Sequence, residues 1–238
     1  MDTDSNILRL LDRNICKDVV DLLFVKLTKK DKLNHKYVLA IPKENKNFIP
    51  ISAFENSSVE YVIIDKSILE LKKYAFNECS KLKKIVIHNN LVKIGSETFT
   101  LCLELEYLVL PKSLIRIPPK MCQLSGLKKI EIGNNIVSIG ELAFSRCSNL
   151  EKVIIGDSVK RINDWSFSDC ENLTFISLVR NIIYIGTGSF KPSYLSLNKM
   201  RNGKYDYRYI NTIEIYRSNE NIIKRHIIMD YTTIIYKD

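Results

Sequence analysis

The chain has 238 residues, with 36 Lys and Arg against 27 Asp and Glu, a net charge of +9 and 45% hydrophobic content. A chain of this length buries a core of its own, and no apolar run reaches the ~20 residues that a membrane helix needs. The positive balance admits an anionic partner, nucleic acid or lipid, and equally suits a soluble protein rich in Lys, Asn and Ile.

The N-terminal stretch MDTDSNILRLLDRN starts acidic and carries charges through its apolar part. That is not the pattern of a secretory leader, so an intracellular, cytoplasmic location is expected. Ile7, Leu8, Leu11, Ile15, Val19, Leu22 and Leu23 fall at helical spacing, with Ser5 placed to cap the first turn. Residues 1–35 are expected to form a helical cap, or alternatively a docking helix.

From residue 36 to 190 the chain repeats itself. Phe54, Phe76, Phe99, Phe144, Phe167 and Phe190 mark a period of 22 or 23 residues, with Cys122 in the one gap. Three residues after each stands a small one: Ser57, Cys79, Cys102, Ser125, Cys147 and Cys170. An apolar triplet spaced i, i+3, i+5 follows, as in Leu82-Ile85-Ile87, Leu127-Ile130-Ile132 and Leu150-Val153-Ile155. A second apolar pair comes next, as in Leu91/Ile94, Ile136/Ile139 and Val159/Ile162. Such a unit cannot bury its apolar side alone and must stack on its neighbours. The i+3 and i+5 positions share a face, which is strand alternation, so each unit supplies a short strand in a parallel stack. The second pair lines the opposite wall. The Phe sits in a turn or helical step, and Gly95, Gly140 and Gly186 are expected to permit the tight bend.

The wording LVKIGSETFTLC (91–102), IVSIGELAFSRC (136–147) and KRINDWSFSDC (160–170) resembles the BspA-like class of leucine-rich repeats. The resemblance covers about 49–190 and reaches weakly upstream to Leu39-Ala40-Ile41-Pro42 and Ile49. It implies an α/β fold: a leucine-rich-repeat solenoid of stacked short parallel strands. It also implies binding in a general way, since BspA-like proteins are mostly binding and adhesion proteins, many on bacterial surfaces. Unsecreted members occur in protists and large DNA viruses, and in the viral case the expected location is the host-cell cytoplasm.

One unit departs from the pattern. IPPKMC (117–122) places Pro118 where Gly is usual and reverses large and small at Met121-Cys122. A local kink is expected, with Met121 filling the volume of the missing Phe. After Phe190 the period breaks. Residues 191–209 read as an insertion carrying Lys191, Lys199, Arg201, Lys204 and Arg208 among Tyr194, Tyr205, Tyr207 and Tyr209. Basic residues attract phosphate and aromatics stack bases, so this segment carries the alternative reading, nucleic-acid or anionic-surface binding. Ile210-Ile213-Ile215 and Tyr231-Ile234-Tyr236 restore the triplet, and 210–238 read as degenerate terminal repeats or a C-terminal cap.

Catalytic and metal signatures are missing from the sequence. His35, His88 and His226 do not cluster with Cys or acids, and there is no Cys-x-x-Cys pair. No cofactor and no enzymatic activity are expected. Cys79/Cys102 and Cys147/Cys170 lie one coil apart, where parallel side chains keep the Cβ atoms farther apart than a disulfide prefers, so all four are expected to be reduced.

If the triplet points inward, i+2 and i+4 point outward. They are Tyr61/Ile63, Lys84/Val86, Tyr107/Val109, Lys129/Glu131, Lys152/Ile154 and Phe175/Ser177. β-forming propensity accounts for some of these residues. A contiguous apolar and aromatic strip is also what an interaction surface needs. The function expected is therefore a non-catalytic module that binds an unidentified protein partner through this strand face. The sequence leaves the oligomeric state open.

Overall fold

The computed structural model describes residues 47–190 throughout, together with the backbone of five flanking strands. The strands are, in chain order, β1 Tyr37–Ala40, β2 Phe48–Ile49, β3 Tyr61–Ile64, β4 Glu70–Leu71, β5 Lys84–Val86 and β6 Lys93–Ile94. Then come β7 Arg116–Ile117, β8 Lys129–Ile132, β9 Ser138–Ile139, β10 Lys152–Ile155, β11 Arg161–Ile162, β12 Phe175–Ser177 and β13 Tyr184–Ile185. Beyond residue 190 lie β14 Met200–Arg201, β15 Lys204–Tyr205, β16 Thr212–Tyr216 and β17 Thr233–Lys237. The expected helical cap at 1–35 lies outside the described residues, as does most of 191–209. Within the latter, β14 and β15 pair antiparallel.

Each coil has three sides. The triplet supplies a longer strand, the second apolar pair a shorter one, and the Phe segment an arc of turns. Longer strands stack in parallel and in register: Val62 lies beside Ile85, and Ile130 beside Val153. β16 and β17 continue that sheet, with Ile176, Ile213 and Ile234 in one row. Shorter strands form the second wall in the same way, Ile139 and Ile162 side by side. The triplets, the pairs and the Phe residues close on one continuous core. Within it the aromatic rings stack: Phe54 on Phe76 at 4.9 Å, Phe76 on Phe99 at 5.8 Å, Phe144 on Phe167 at 5.2 Å and Phe167 on Phe190 at 5.6 Å.

The arc is neither helix nor strand. Two residues before each Phe position and, from Phe54 to Phe167, two after it the backbone is left-handed, as at Tyr74 and Glu78 (φ 60° and 58°) or Leu142 and Arg146 (φ 55° and 59°). Alternation of hand turns every second amide toward the next coil. Leu142, Phe144 and Arg146 donate to the carbonyls of Asp164, Ser166 and Ser168 at 2.7–3.0 Å. The residues between them bond within their own coil, as Ala143 does to Gly140 at 3.3 Å. Left-handed conformation costs a non-glycine residue about 1–2 kcal/mol; it persists here because both neighbouring coils fix it through these bonds.

Glycine therefore has a different role from the one expected. Gly95, Gly140 and Gly186 are not left-handed; Gly188 is the one glycine with positive φ among the described residues. They are small because the preceding coil lies against them. A Cβ on Gly95 would meet the Lys73 nitrogen at 2.4 Å, and one on Gly140 the Pro118 carbonyl carbon at 2.5 Å. Gly126 is tighter still, with the Leu103 carbonyl oxygen 2.1 Å from where a Cβ would stand.

The coil at 103–122 does not kink the arc. Glu97, Phe99 and Leu101 donate to Pro119, Met121 and Gln123 at 2.8–3.2 Å, and Cys122 continues the ladder to Ala143 at 2.8 Å. The interruption falls instead in both sheets. On the longer-strand side this coil keeps only an isolated bridge, Tyr107 to Lys129. On the shorter-strand side β6 and β7 belong to different sheets. Met121 and Cys122 are both fully buried, so the side-chain volume missing at the Phe position has moved one residue back, into the column of Ala75, Thr98, Ala143 and Ser166.

Candidate functional site

Alternation within the longer strands turns one set of side chains away from the core. Of the expected apolar and aromatic surface residues, Tyr107 and Val109 are the most open, at 60% and 78% exposure. Glu131 and Lys152 are exposed, while Tyr61, Lys84, Val86, Lys129, Ile154 and Phe175 are half-buried. Strand register joins them into rows: Tyr61 beside Lys84, Tyr107 beside Lys129, Lys129 beside Lys152, and Lys152 beside Phe175. Ile63 is the correction. It lies outside the solenoid's core cluster, as an outward position should, yet it is only 3% exposed. Alternation sets the direction of a side chain but not whether something covers it, and Ile63 has no surface to offer a partner.

The lysines of this face are held by the face itself. Lys83 reaches Glu60 at 2.8 Å, Lys128 reaches Glu106 at 2.8 Å and Lys129 reaches Glu131 at 2.6 Å. The ammonium of Lys152 sits 4.9 Å over the Phe175 ring. The Glu60 and Glu106 carboxylates raise the pKa of Lys83 and Lys128 above the ordinary lysine value. Exposed pairs of this kind contribute little stability. Their effect is to cancel charge at three of the lysines around Tyr107 and Val109.

Four of the seven exposed large apolar residues among those described, Leu103, Tyr107, Val109 and Ile115, belong to the one coil whose strand pairing is interrupted. Sequence reading missed Ile115 and its neighbours. Val92, Ile115 and Ile183 each follow the first residue of the second apolar pair; Val92 and Ile115 are neighbours on the shorter-strand wall, and Ile183 stands apart beyond Val137 and Lys160. Reading that offset in every unit finds Val92 and Ile115 side by side.

The cysteine column lies inside. Cys79 Sγ donates to the Phe54 carbonyl at 3.0 Å, Cys102 to Phe76 at 3.3 Å, Cys147 to Cys122 at 3.0 Å and Cys170 to Phe144 at 3.1 Å. Each thiol thus ties one coil to the coil before it. Burial pushes the Cys79 thiol up to about 12 and the Cys147 thiol to about 11. Thiolate is the reactive form, so the five described cysteines are expected to escape alkylation in native protein at pH 8 and to react only after unfolding. Peptide mass spectrometry after timed labelling checks this. A thiol pKa raised by folding leaves stability intact below about pH 9 and erodes it above, because the unfolded chain then loses protons that the folded one keeps.

Among the described residues there is no cluster of His, Cys, Asp and Glu able to hold a metal ion, and no helix long and apolar enough to cross a membrane. The shape matches solved structures. A leucine-rich repeat protein from Bacteroides ovatus aligns over 87% of this chain and 52% of its own, with 22% identity and a TM-score of 0.66. The T. pallidum leucine-rich repeat protein aligns over 65% of this chain and 75% of its own, with 26% identity and a TM-score of 0.60. A leucine-rich repeat protein from Eubacterium ventriosum aligns over 87% and 57%, at 17% identity and a TM-score of 0.51. The chain thus spans about half the length of the Bacteroides ovatus protein. No curated protein matches the sequence. The profile of the BspA type leucine rich repeat region matches residues 47–129 and 120–222, in six copies. Period, stacked arcs and profile agree: this chain belongs to the BspA-type leucine-rich-repeat family.

Proposed function

We propose that the protein is a non-catalytic interaction module that binds a protein partner through the longer-strand face. The leucine-rich-repeat solenoid is in general a protein-interaction scaffold, and that coarse role comes with the fold. The observation that supports the finer reading is the pair Tyr107 and Val109. They are 60% and 78% exposed at the middle of a face on which Lys83, Lys128 and Lys129 are paired with Glu60, Glu106 and Glu131. A rigid aromatic anchor beside an aliphatic one, ringed by polar groups, is the composition of an interface centre. A polyanion would have to break the Lys–Glu pairs to gain the same charges. Residues Tyr61, Lys84, Val86, Lys129, Glu131, Lys152, Ile154 and Phe175 form the surround.

The test is a comparison of wild type with Tyr107→Ala/Val109→Ser by proximity labelling in the native cell, followed by pull-down of any candidate at 150 and 500 mM salt. The expected result is a partner that survives high salt and is lost by at least tenfold in the double variant, whose melting temperature is unchanged. An identical set of labelled proteins for both chains removes the strand face as the site.

A further inference from the structure

The shorter-strand wall carries a groove of ≈ 770 Å³, lined by Val92, Ile115, Arg116, Ser138, Asp164 and Tyr184 among others. It belongs to a different wall from the face just described and forms where bulk is missing. Ser138 lies in strand register between Arg116 and Arg161 and is smaller than either. Gly140 follows it, against the backbone of Pro118. Adjacent strands are about 4.8 Å apart, so the two arginines flank Ser138 with their backbones about 10 Å from each other.

The charges around the groove are unevenly spent. Lys93 is bound to Glu70 at 2.9 Å. Asp164 accepts from the Tyr184 hydroxyl at 3.1 Å and from the Thr187 amide at 2.9 Å. The Arg161 guanidinium lies 4.3 Å over the ring of Tyr184, its strand neighbour on the side away from Ser138, so it is engaged outside the groove lining. Arg116 is exposed and makes no salt bridge or ring contact with the described residues. Beside it the exposed aliphatic chains of Val92 and Ile115 form an apolar border.

We propose that this groove is a second binding site, for an extended peptide segment carrying one acidic side chain between aliphatic ones. Its carboxylate pairs with Arg116 beside the Ser138 hydroxyl, and its aliphatic neighbours cover Ile115 and Val92. A planar guanidinium pairs with a carboxylate through two parallel hydrogen bonds. β7, β9, β11 and β13 form a continuous sheet along the groove; three strand steps make about 14 Å, the reach of about four extended residues. Asp164 and Glu141 line the same groove, so it suits a single carboxylate between apolar groups and disfavours a polyphosphate chain.

The probe is a pool of fluorescein-labelled octapeptides with a fixed central Glu flanked by Ile, Leu, Val or Thr, read by anisotropy against the full chain. The Gln pool, identical but for that residue, is expected to bind at least tenfold more weakly. Arg116→Ala is expected to weaken the Glu pool at least tenfold and leave the Gln pool unchanged. Ser138→Glu, which sets a carboxylate beside Arg116, is expected to abolish binding without lowering the melting temperature. Tyr107→Ala/Val109→Ser is expected to bind the pool as wild type does, which separates this site from the strand face. Equal binding of the two pools, binding of neither, or unaltered binding by Arg116→Ala and Ser138→Glu overturns the proposal. So does tighter binding of a twelve-nucleotide oligo-dT than of the Glu pool.

Discussion

Phe144→Ala is expected to destabilise the solenoid by about 3–5 kcal/mol, the cost of deleting a buried phenyl ring and leaving its cavity. For a chain of this size that is a fall in melting temperature of about 10 °C. Phe144 is fully buried and stacks on Phe167 at 5.2 Å, and its backbone is fixed on both sides by the arc bonds Cys122 to Ala143 and Phe144 to Ser166, each 2.8 Å. The site therefore has little freedom to collapse. Phe190, at the end of the described column, is less enclosed and is expected to lose less when truncated. Thermal unfolding followed by circular dichroism ranks the two. Equal and small losses would mean that the rings fill space without supporting the stack.

The second large effect concerns the coil that lacks the ring. Met121→Ala is expected to cost about 2–5 kcal/mol, since Met121 is fully buried and replaces the volume that Phe supplies elsewhere. Cys122→Phe alone is expected to cost about 1–3 kcal/mol by overpacking against the same Met. Together, Met121→Ala/Cys122→Phe rebuild the small-then-Phe order of Ala75-Phe76 and Ala143-Phe144. The double variant is expected to be more stable than either single one, with coupling of about 1–3 kcal/mol between neighbours in one packed layer. Denaturant melts of the four chains give that coupling directly. Additive losses would show that Met121 and Cys122 occupy separate spaces.

The residues that read most clearly in the sequence are those whose burial recurs. Leu82, Leu105, Leu127 and Leu150 are all fully buried, and a stacked core admits no charge at such a place in any coil. Cysteine at the small position was legible for the same reason. The left-handed positions were not. Tyr74, Glu97, Lys120, Leu142 and Trp165 share a backbone state and nothing else. Their geometry comes from amide bonds to the next coil, which any side chain allows, so no residue type marks them. Of the surface, Tyr107 and Val109 were legible as outward positions. Ile63 was read as open because alternation cannot see what lies above a strand. The groove at Ser138 stayed hidden for a related reason. A Ser between two Arg residues is unremarkable along the chain; the concavity exists only once Arg116, Ser138 and Arg161 stand side by side.

The arc bonds all run one way. In every described step the amides of one coil address the carbonyls of the coil after it, as Phe54 addresses Ala75 and Phe167 addresses Ser189, both at 2.8 Å. Each described coil therefore offers carbonyls to the coil before it and amides to the coil after it along this edge. Two like sides of such a coil set face to face would oppose acceptor to acceptor or donor to donor, so this edge does not pair with itself by a twofold axis. Growth along it, by duplicated units or by another molecule, proceeds tail to head, the symmetry of an open fibre.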